Sequence, residues 1–370
     1  MPRSILMLCV LVTTVPLAAT AAAADLAADL QQILADFLAE NPAAPGVSAA
    51  VVCPPLGLDW TGAAGKVAHG SDQPLAPAHT FRIASNTKTY VAAALLRLAE
   101  DKRLRLDAPL VTYLSPAHAA LLAADGYDLT AITLRQVMSH TAGLADHSGD
   151  DRYGEAIIAD PYHRWTRDEQ VRRCVELFDP LGPPGEQYVY SDTGYVLLGG
   201  VVERATGRAL GAAVRELLDF ARLGLDATWW EYTEDAPSGA GPRAHQYIGE
   251  YDTTDWHASF DLYGGGGLIA DVHDLGGFMR ALLKGRVLRD ESTLAAMTGD
   301  GTAAYRLGLM VADLGGRLAW GHQGFWNTFA FHVPSLDATV AGCILNHDAT
   351  NGRALAARLV ERIDRAARAD

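Results

Sequence analysis

The sequence predicts an α/β (α+β) fold in which helices flank a mostly antiparallel sheet and a helical domain is inserted into that sheet. Short apolar runs typical of strands lie near both ends of the 370-residue chain, at 46–67 and 307–345. Stretches with helical spacing of apolar residues fill the middle, from about residue 86 to residue 223. We therefore expect a sheet domain from residues 25–83 and 262–370 and a helical domain from residues 84–261.

The individual elements can be placed in order along the chain. Leu, Ile and Phe recur at helical spacing from Asp25 to Glu40, and Asn41-Pro42 ends this predicted helix. Two extended segments separated by Pro54-Pro55 and Gly57 then predict a hairpin. The other predicted elements are helices at 86–100, 196–205 and 352–368 and strands at 307–314, 317–321, 328–333 and 339–345.

Residues 1–24 have the three-part layout of a secretory signal peptide. Arg3 precedes an apolar run from Ile5 to about Ala19, and small residues follow up to Ala24. The apolar run is shorter than the ~20 residues that span a bilayer, so we expect cleavage near Ala24 and no membrane anchor afterwards. The predicted location is periplasmic or extracellular.

The net charge limits the binding partners of the chain, and the cysteine content limits its disulfides. The formal net charge of −14 repels nucleic acid and anionic membrane surfaces, so neither is expected as a partner. Cys53, Cys174 and Cys343 follow the predicted cleavage site, and an odd number of cysteines permits at most one internal disulfide. We interpret all three as buried core residues. The oligomeric state is left open.

The strongest chemical signal is Ser85-Asn86-Thr87-Lys88. With twelve serines and four lysines in the chain, an S-x-x-K pattern is expected by chance only about 0.13 times. It stands at the start of a predicted helix, where residues three apart share a face, so the Lys88 amine can lie beside the Ser85 hydroxyl. A serine nucleophile needs such a neighbour, together with donors for the oxyanion. The alternative is that Ser85 is only a helix N-cap and Lys88 a solvated charge.

Other catalytic patterns are absent from the sequence. G-x-S-x-G, H-E-x-x-H and G-x-x-x-x-G-K-[ST] do not occur, so metal catalysis and nucleotide binding have little support. We expect no metal and no organic cofactor. The four glycines at 264–267 are interpreted as a site of close backbone packing.

Two further segments complete a resemblance. Tyr190-Ser191-Asp192 precedes an apolar helix, and His322-Gln323-Gly324 lies on a predicted strand. Together with Ser85 to Lys88 they resemble the motifs S-x-x-K, Y-x-N and K/H-T-G of the penicillin-recognising serine hydrolases, in particular class C β-lactamases, DD-carboxypeptidases and related esterases. Segments 132–144 and 266–271 resemble framework segments of that family, so the likeness covers the predicted mature chain.

The resemblance implies a β-lactamase/transpeptidase-like fold and a set of roles. It implies that Ser85 is the nucleophile, Lys88 its proton partner and Tyr190 the general base or proton relay, with Lys88 depressing the pKa of the phenol. The backbone N–H groups of Ser85 and Phe325 would form the oxyanion hole. It also implies that the substrate is bound by Asp192, His322, Gln323, Gly324, Phe325 and Trp326. Cys53 and Cys343 would lie on neighbouring strands, where a disulfide can form.

This chain departs from the family pattern at two positions and has the histidine form at a third. Asp192 replaces the usual Asn, and a carboxylate accepts hydrogen bonds but cannot donate them. Gln323 replaces Thr, and His322 is mostly neutral at pH 7, so the grip on a free substrate carboxylate is weakened. These changes favour ester or D-amino-acid amide hydrolysis over strong β-lactamase activity.

The predicted function is hydrolysis of an amide or ester bond through an acyl-enzyme on Ser85, with a D-alanyl-D-alanine carboxypeptidase-like or β-lactamase-related activity as the leading form. Candidate substrates are D-alanyl-D-alanine peptides, β-lactams and small esters. Alternatives are a penicillin-binding sensor or scaffold that barely turns over, a carboxylesterase of the same fold and a metal-dependent hydrolase. Whether Lys88 or Tyr190 acts as the first base is open. We expect the active site to lie in the cleft between the two domains. His140, Asp146 and His147 are expected to be structural or to lie at the rim of that cleft.

Overall fold

The computed structural model describes residues 17–369, with side chains from residue 23 onward. Along the described residues, strands of two to eight residues alternate with helices. The strands are β1 (Gly46–Cys53), β2 (Leu58–Gly65), β3 (Phe81–Arg82), β4 (Trp229–Trp230), β5 (Tyr247–Ile248), β6 (Tyr251–Asp252), β7 (Leu268–Ala270), β8 (Met310–Leu314), β9 (Arg317–Gly324), β10 (Thr328–Val333) and β11 (Ala338–Ile344).

Most helices lie between β3 and β4 in the chain. The helices are α1 (Leu17–Glu40), α2 (Thr87–Glu100), α3 (Pro116–Ala124), α4 (Leu134–Met138), α5 (Asp151–Ala159), α6 (Arg167–Leu177), α7 (Asp192–Thr206), α8 (Leu210–Leu218), α9 (Phe220–Leu223), α10 (Val272–Leu283), α11 (Glu291–Thr298) and α12 (Gly352–Ala367).

The large sheet joins the two ends of the chain. Its strand order is β2-β1-β11-β10-β9-β8, and every neighbouring pair is antiparallel. Val47 of β1 lies opposite Ile344 of β11, so the segment before the helices pairs directly with the segment after them. The predicted fold class is confirmed. The boundaries of the two domains stay a prediction.

The two faces of this sheet are packed differently. Large side chains on one face, including Val47, Phe329 and Phe331, belong to the core formed with α1 and α12. Small side chains face the other way, because alternate residues of a strand point to opposite faces. Among them is Ala341, whose Cβ would lie 3.3 Å from a Cβ placed on Gly276 of α10. The small residues therefore let α10 lie close against the sheet.

The N-terminal helix is longer than predicted. It begins at Leu17 rather than at Asp25, so a cleavage after Ala24 would fall inside α1. Residues 1–16 of the predicted signal peptide lie outside the described residues, and the location of the protein stays a prediction. Within residues 17–369, none of the helices has both the length and the apolar character needed to cross a membrane.

The three cysteines are buried, as predicted, and are free thiols. The suggested disulfide between Cys53 and Cys343 is wrong. Their strands are neighbours, but Cys343 lies opposite Ser48, near the start of β1, whereas Cys53 is the last residue of that strand. This register keeps the two sulfur atoms apart.

Two glycines provide a test of this packing. A Cβ on Gly321 of β9 would lie 1.9 Å from the carbonyl oxygen of Ala330 in β10. Gly321→Ala should lower the free energy of unfolding by about 3 kcal/mol, because the strands would have to separate. A Cβ on Gly277, inside α10, would meet nothing within 4 Å. Gly277→Ala should raise the free energy of unfolding by about 0.5–1 kcal/mol. Urea denaturation measures both values, and equal effects would contradict the packing.

Candidate active site

Ser85 stands in a turn between β3 and α2. Ala84, just before it, has φ +45°, which is rarely adopted by a residue with a Cβ. The turn is held by Thr328 at the start of β10, whose hydroxyl donates to the carbonyl oxygen of Ile83 at 2.9 Å. The Asn86 amide donates to both Ile83 O and Thr328 Oγ1 at 3.0 Å. The start of β10, an interior strand of the large sheet, thereby holds Ser85 at the start of α2.

Lys88 lies one turn further along and is completely buried. Its Nζ atom donates to Ser85 Oγ at 2.7 Å and to the carbonyl oxygen of Gly265 at 2.6 Å. The third neighbour is Asp192, with Nζ 2.5 Å from Oδ1. Two hydrogen bonds and the opposite charge of Asp192 therefore surround the ammonium group. Lys88 is therefore not the solvated surface charge of the alternative interpretation.

The four-glycine run makes this approach possible. A Cβ on Gly264 would lie 2.5 Å from the carbonyl oxygen of Tyr195, and a Cβ on Gly266 would lie 2.1 Å from Asp261 Oδ2. Side chains at these positions would push the loop away from Lys88. The run thus permits the close backbone packing that the sequence predicted.

Tyr190 lies beside Lys88 and is held by His140. The Lys88 Nζ atom is 5.1 Å from the centre of the Tyr190 ring. The His140 ring packs against Tyr190 at a tilt of 32° with 4.2 Å between ring centres, and its Nδ1 atom accepts from the Ser191 N–H. The His140 carbonyl accepts from the Val189 N–H. His140 therefore binds the backbone on both sides of Tyr190 as well as its ring.

The charges around this group favour an ammonium and a neutral phenol. Burial disfavours the charged form of Lys88, but nearby negative groups, Asp192 foremost, raise its pKa above the ordinary value. Burial raises the pKa of Tyr190, and it does so more strongly than Lys88 lowers it. Lys88 thus acts on the pKa of this phenol in the expected direction, but burial outweighs it and the net pKa lies above the ordinary value. Burial also acts on Asp192, but Lys88 lowers its pKa to about 2.

Ser85 and Asp192 open onto a cavity of about 650 Å³. Helix α5 and the segment before it form one side of the cavity, and the loop before the four-glycine run forms another. Phe325 and Trp326 follow β9 in the turn to β10, and both lie on the wall. The apolar residues of the wall include Tyr153, Ile157, Ile248, Trp256, Phe260 and Trp326. A small substrate could thus reach the Ser85 hydroxyl.

His322 does not face this cavity. It is completely buried, and its Nδ1–H donates to the carbonyl oxygen of Gln323 at 2.6 Å. That contact leaves Nε2 as the acceptor from the Tyr305 hydroxyl at 3.0 Å. Burial and then the charge of Lys88 lower the pKa of His322 to about 3, so the ring is neutral. The implied role of His322 as a group facing the substrate is not supported by this geometry.

Gln323 and Gly324 also lie off the cavity wall. The Gln323 amide donates to Asn351 Oδ1 at 2.6 Å, at the start of α12. A Cβ on Gly324 would lie 2.4 Å from the carbonyl oxygen of Ile83. Gly324 therefore allows β9 to approach the Ser85 turn. Of the predicted substrate-binding residues, only Asp192, Phe325 and Trp326 line the cavity.

A family model described as Beta-lactamase matches residues 30–363. This chain belongs to the beta-lactamase family. The resemblance of the three motifs is thereby confirmed at the level of the family. Solved structures of similar proteins share the fold over most of this chain. D-stereospecific amidohydrolase from Streptomyces sp. is 29% identical with a TM-score of 0.75, covering 89% of this chain and 97% of that chain.

Other relatives are named for different activities. D-amino acid amidase from Ochrobactrum anthropi SV3, complexed with L-phenylalanine amide, is 25% identical with a TM-score of 0.76 over 93% of this chain and 99% of that chain. Esterase EstB from Burkholderia gladioli is 34% identical over 55% of this chain and 51% of that protein. Penicillin-binding protein 4 from Amycolatopsis lactamdurans is 30% identical over 44% of this chain and 39% of that protein. The chain spans about half the length, or less, of these curated relatives.

The motifs of the beta-lactamase family did not indicate every residue of the site. Asp261 lines the cavity, and no motif includes it. His140 and His147 were expected to be structural or at the rim; His140 holds Tyr190, and His147 lies on the wall. Tyr305 was not predicted at all. Its position beside His322 depends on the pairing of β9, which the sequence does not reveal.

One group among the described residues has the chemistry of metal ligands, and it lies off the cavity wall. It consists of Asp271, His273 and Asp274. The Asp271 carboxyl accepts from the Asp274 N–H and caps α10. The Asp274 carboxyl accepts from the backbone N–H of Ala227 and from the Thr228 hydroxyl. Both acids therefore have a structural role, because their carboxyl groups are occupied by these hydrogen bonds.

The ion pair between Lys88 and Asp192 predicts a non-additive change in stability. Asp192→Ala leaves a buried ammonium without its counter-charge and should lower the free energy of unfolding by about 3 kcal/mol or more. Lys88→Met in addition removes that ammonium, so the double variant should regain part of the loss. Urea denaturation of the two single variants and the double variant measures this coupling. Additive losses would contradict the pairing.

Proposed function

We propose that this chain is a serine hydrolase that forms an acyl-enzyme on Ser85 and cleaves amide or ester bonds of small substrates. The observation that carries the proposal is the contact of 2.7 Å between Lys88 Nζ and Ser85 Oγ at the wall of a cavity. Membership of the beta-lactamase family supports it, because relatives are named as an esterase, an amidohydrolase and an amidase.

The proposed roles follow from the contacts. Lys88 stays an ammonium because three oxygens bind it, so Tyr190 is the base. Ser85 Oγ bonds to the carbonyl carbon while its proton passes to the Tyr190 phenolate. The backbone N–H groups of Ser85 and Phe325 stabilise the oxyanion. The bond to the leaving group then breaks, the leaving group takes the proton from Tyr190, and water cleaves the acyl ester by the same route.

Among the candidate substrates, neutral amides and esters suit the cavity better than carboxylates do. A carboxypeptidase or a β-lactamase must bind a substrate with a free carboxylate. None of the described residues that line the cavity is a lysine or an arginine, and His322 is neutral and buried. Hydrolysis of D-alanyl-D-alanine peptides or β-lactams is therefore the second candidate. A non-turnover sensor has no specific observation in its favour.

Labelling identifies the nucleophile. A fluorophosphonate should add one probe mass to the wild-type protein and none to Ser85→Ala, because only an activated serine reacts. Tyr190→Phe should lower kcat/KM for p-nitrophenyl acetate by about 10²–10⁴-fold. Ser71→Ala, which alters a serine outside the cavity, is the matched control for intact-mass measurement. Labelling of Ser85→Ala at the wild-type rate would refute the assignment, and labelling without steady ester turnover would favour the sensor.

The rate should depend on pH through Tyr190. The raised pKa of this phenol leaves little phenolate at neutral pH, so kcat/KM for a neutral ester should rise steadily from pH 6 to pH 9. The charge of Asp192 contributes to the raised pKa of both Tyr190 and Lys88. Asp192→Asn removes that charge and should move the rise toward lower pH, by about one pH unit.

The control for this variant is Asp151→Asn, which removes the same charge at the outer part of the cavity. It should move the pH profile less than Asp192→Asn does. The assignment of Tyr190 as the base is contradicted if the profile of Asp192→Asn moves to higher pH or stays in place. Circular dichroism of each variant at every pH excludes unfolding as the cause.

A further inference from the structure

The charges on the cavity wall are all of one sign. Among the described residues that line the cavity, the acidic ones are Asp150, Asp151, Glu155, Asp192 and Asp261, whereas lysine and arginine are absent. Two of these acids already have a basic partner, since Asp150 pairs with Arg152 and Asp192 with Lys88. Neither partner cation lines the cavity.

Asp261 is the acid beside the reacting groups that has no basic partner of its own. Its Oδ1 atom lies 3.4 Å from the point that a Cβ on Gly265 would occupy, and Asp192 Oδ1 lies 3.5 Å from the same point. The carbonyl oxygen of Gly265 is bound to Lys88, which in turn contacts Ser85. The Asp261 carboxyl is thus held next to the ion pair that contacts the nucleophile. In the ion pairs formed by the described residues, Asp261 does not take part.

The environment of Asp261 suits a cationic ligand. Burial raises its pKa to about 7, although the charge of Lys88 acts in the opposite direction. Asp261 is partly buried, and a partly desolvated carboxylate without a counter-charge is unfavourable, so a bound ammonium would supply that charge. The rest of the nearby wall is aromatic, with Phe260 next to Asp261 in the chain and Trp256 and Trp326 also facing the cavity.

We propose that Asp261 determines specificity by binding a protonated amine of the substrate next to the scissile carbonyl group. The substrate is then an amide or ester of an amino acid with a free amino group, and its apolar side chain lies against the aromatic wall. This inference rests on the proposed acyl-enzyme on Ser85.

The wild-type protein provides the first test. At pH 7, kcat/KM for phenylalanine amide should exceed that for N-acetyl-phenylalanine amide at least tenfold, in whichever enantiomer is preferred. N-acetyl-D-alanyl-D-alanine, which ends in a carboxylate, should be the poorest of the three substrates. Benzylamine should inhibit turnover of p-nitrophenyl acetate at a lower concentration than benzyl alcohol, which has the same ring without the charge. Equal inhibition, or a preference for the N-acetylated amide, would overturn the proposal.

The second test changes the carboxyl group. Asp261→Asn should lower the ratio of kcat/KM for phenylalanine amide to kcat/KM for its N-acetyl derivative about tenfold. Glu155→Gln removes the same charge from α5 at the exposed part of the wall and should change the ratio less. An equal change in both variants would mean that the preference comes from the total negative charge of the cavity wall and not from Asp261. If Asp261→Asn does not fold, the comparison of benzylamine with benzyl alcohol on the wild type still tests whether the cavity binds a protonated amine.

The two proposals fail in different ways. Without fluorophosphonate labelling of Ser85 and without ester turnover, the acyl-enzyme itself is wrong. With labelling and ester turnover intact but no preference for the free amine, only the role of Asp261 is wrong.

Discussion

The site depends on one buried ammonium group. Lys88 has no exposed surface. Its three oxygen neighbours belong to Ser85, one helical turn before it, and to Asp192 and Gly265, which are far from it in the chain. An ammonium buried without such partners costs several kcal/mol, so the fold has to bring these segments together. The close approach of the four-glycine run and the position of Asp192 at the start of α7 both serve this contact.

The need to neutralise Lys88 also affects which substrates the cavity can bind. Asp192 neutralises Lys88, which leaves the wall without a positive charge to hold a substrate carboxylate. Asp261 then makes the space beside the nucleophile negative as the pH rises above its pKa of about 7. A fold shared by esterases, amidases and penicillin-binding proteins can therefore keep one nucleophilic group and change substrates through the residues around it.

Local sequence patterns predicted the elements well where spacing alone decides them. The strand at Thr328–Val333 has the predicted bounds, and Lys88 lies beside Ser85 because residues three apart share a helix face. Element ends were less predictable: β9 extends to Gly324 because β10 continues to pair with it. Lys88 lowers the pKa of Tyr190 as predicted, but the net pKa is raised because burial outweighs that effect, and the extent of burial is not visible in a sequence.

The sequence by itself determined the fold class, the rare S-x-x-K pair and the order of the three motifs, because periodicity and residue spacing are local properties. The tertiary structure alone decided which residues face the cavity. It turned His322 inward onto Tyr305 and brought Asp261 to the wall, through strand pairing and loop packing between residues far apart in the chain. Desolvation and charge depend on those distant neighbours, so the electrostatic character of the site is a property of the folded chain.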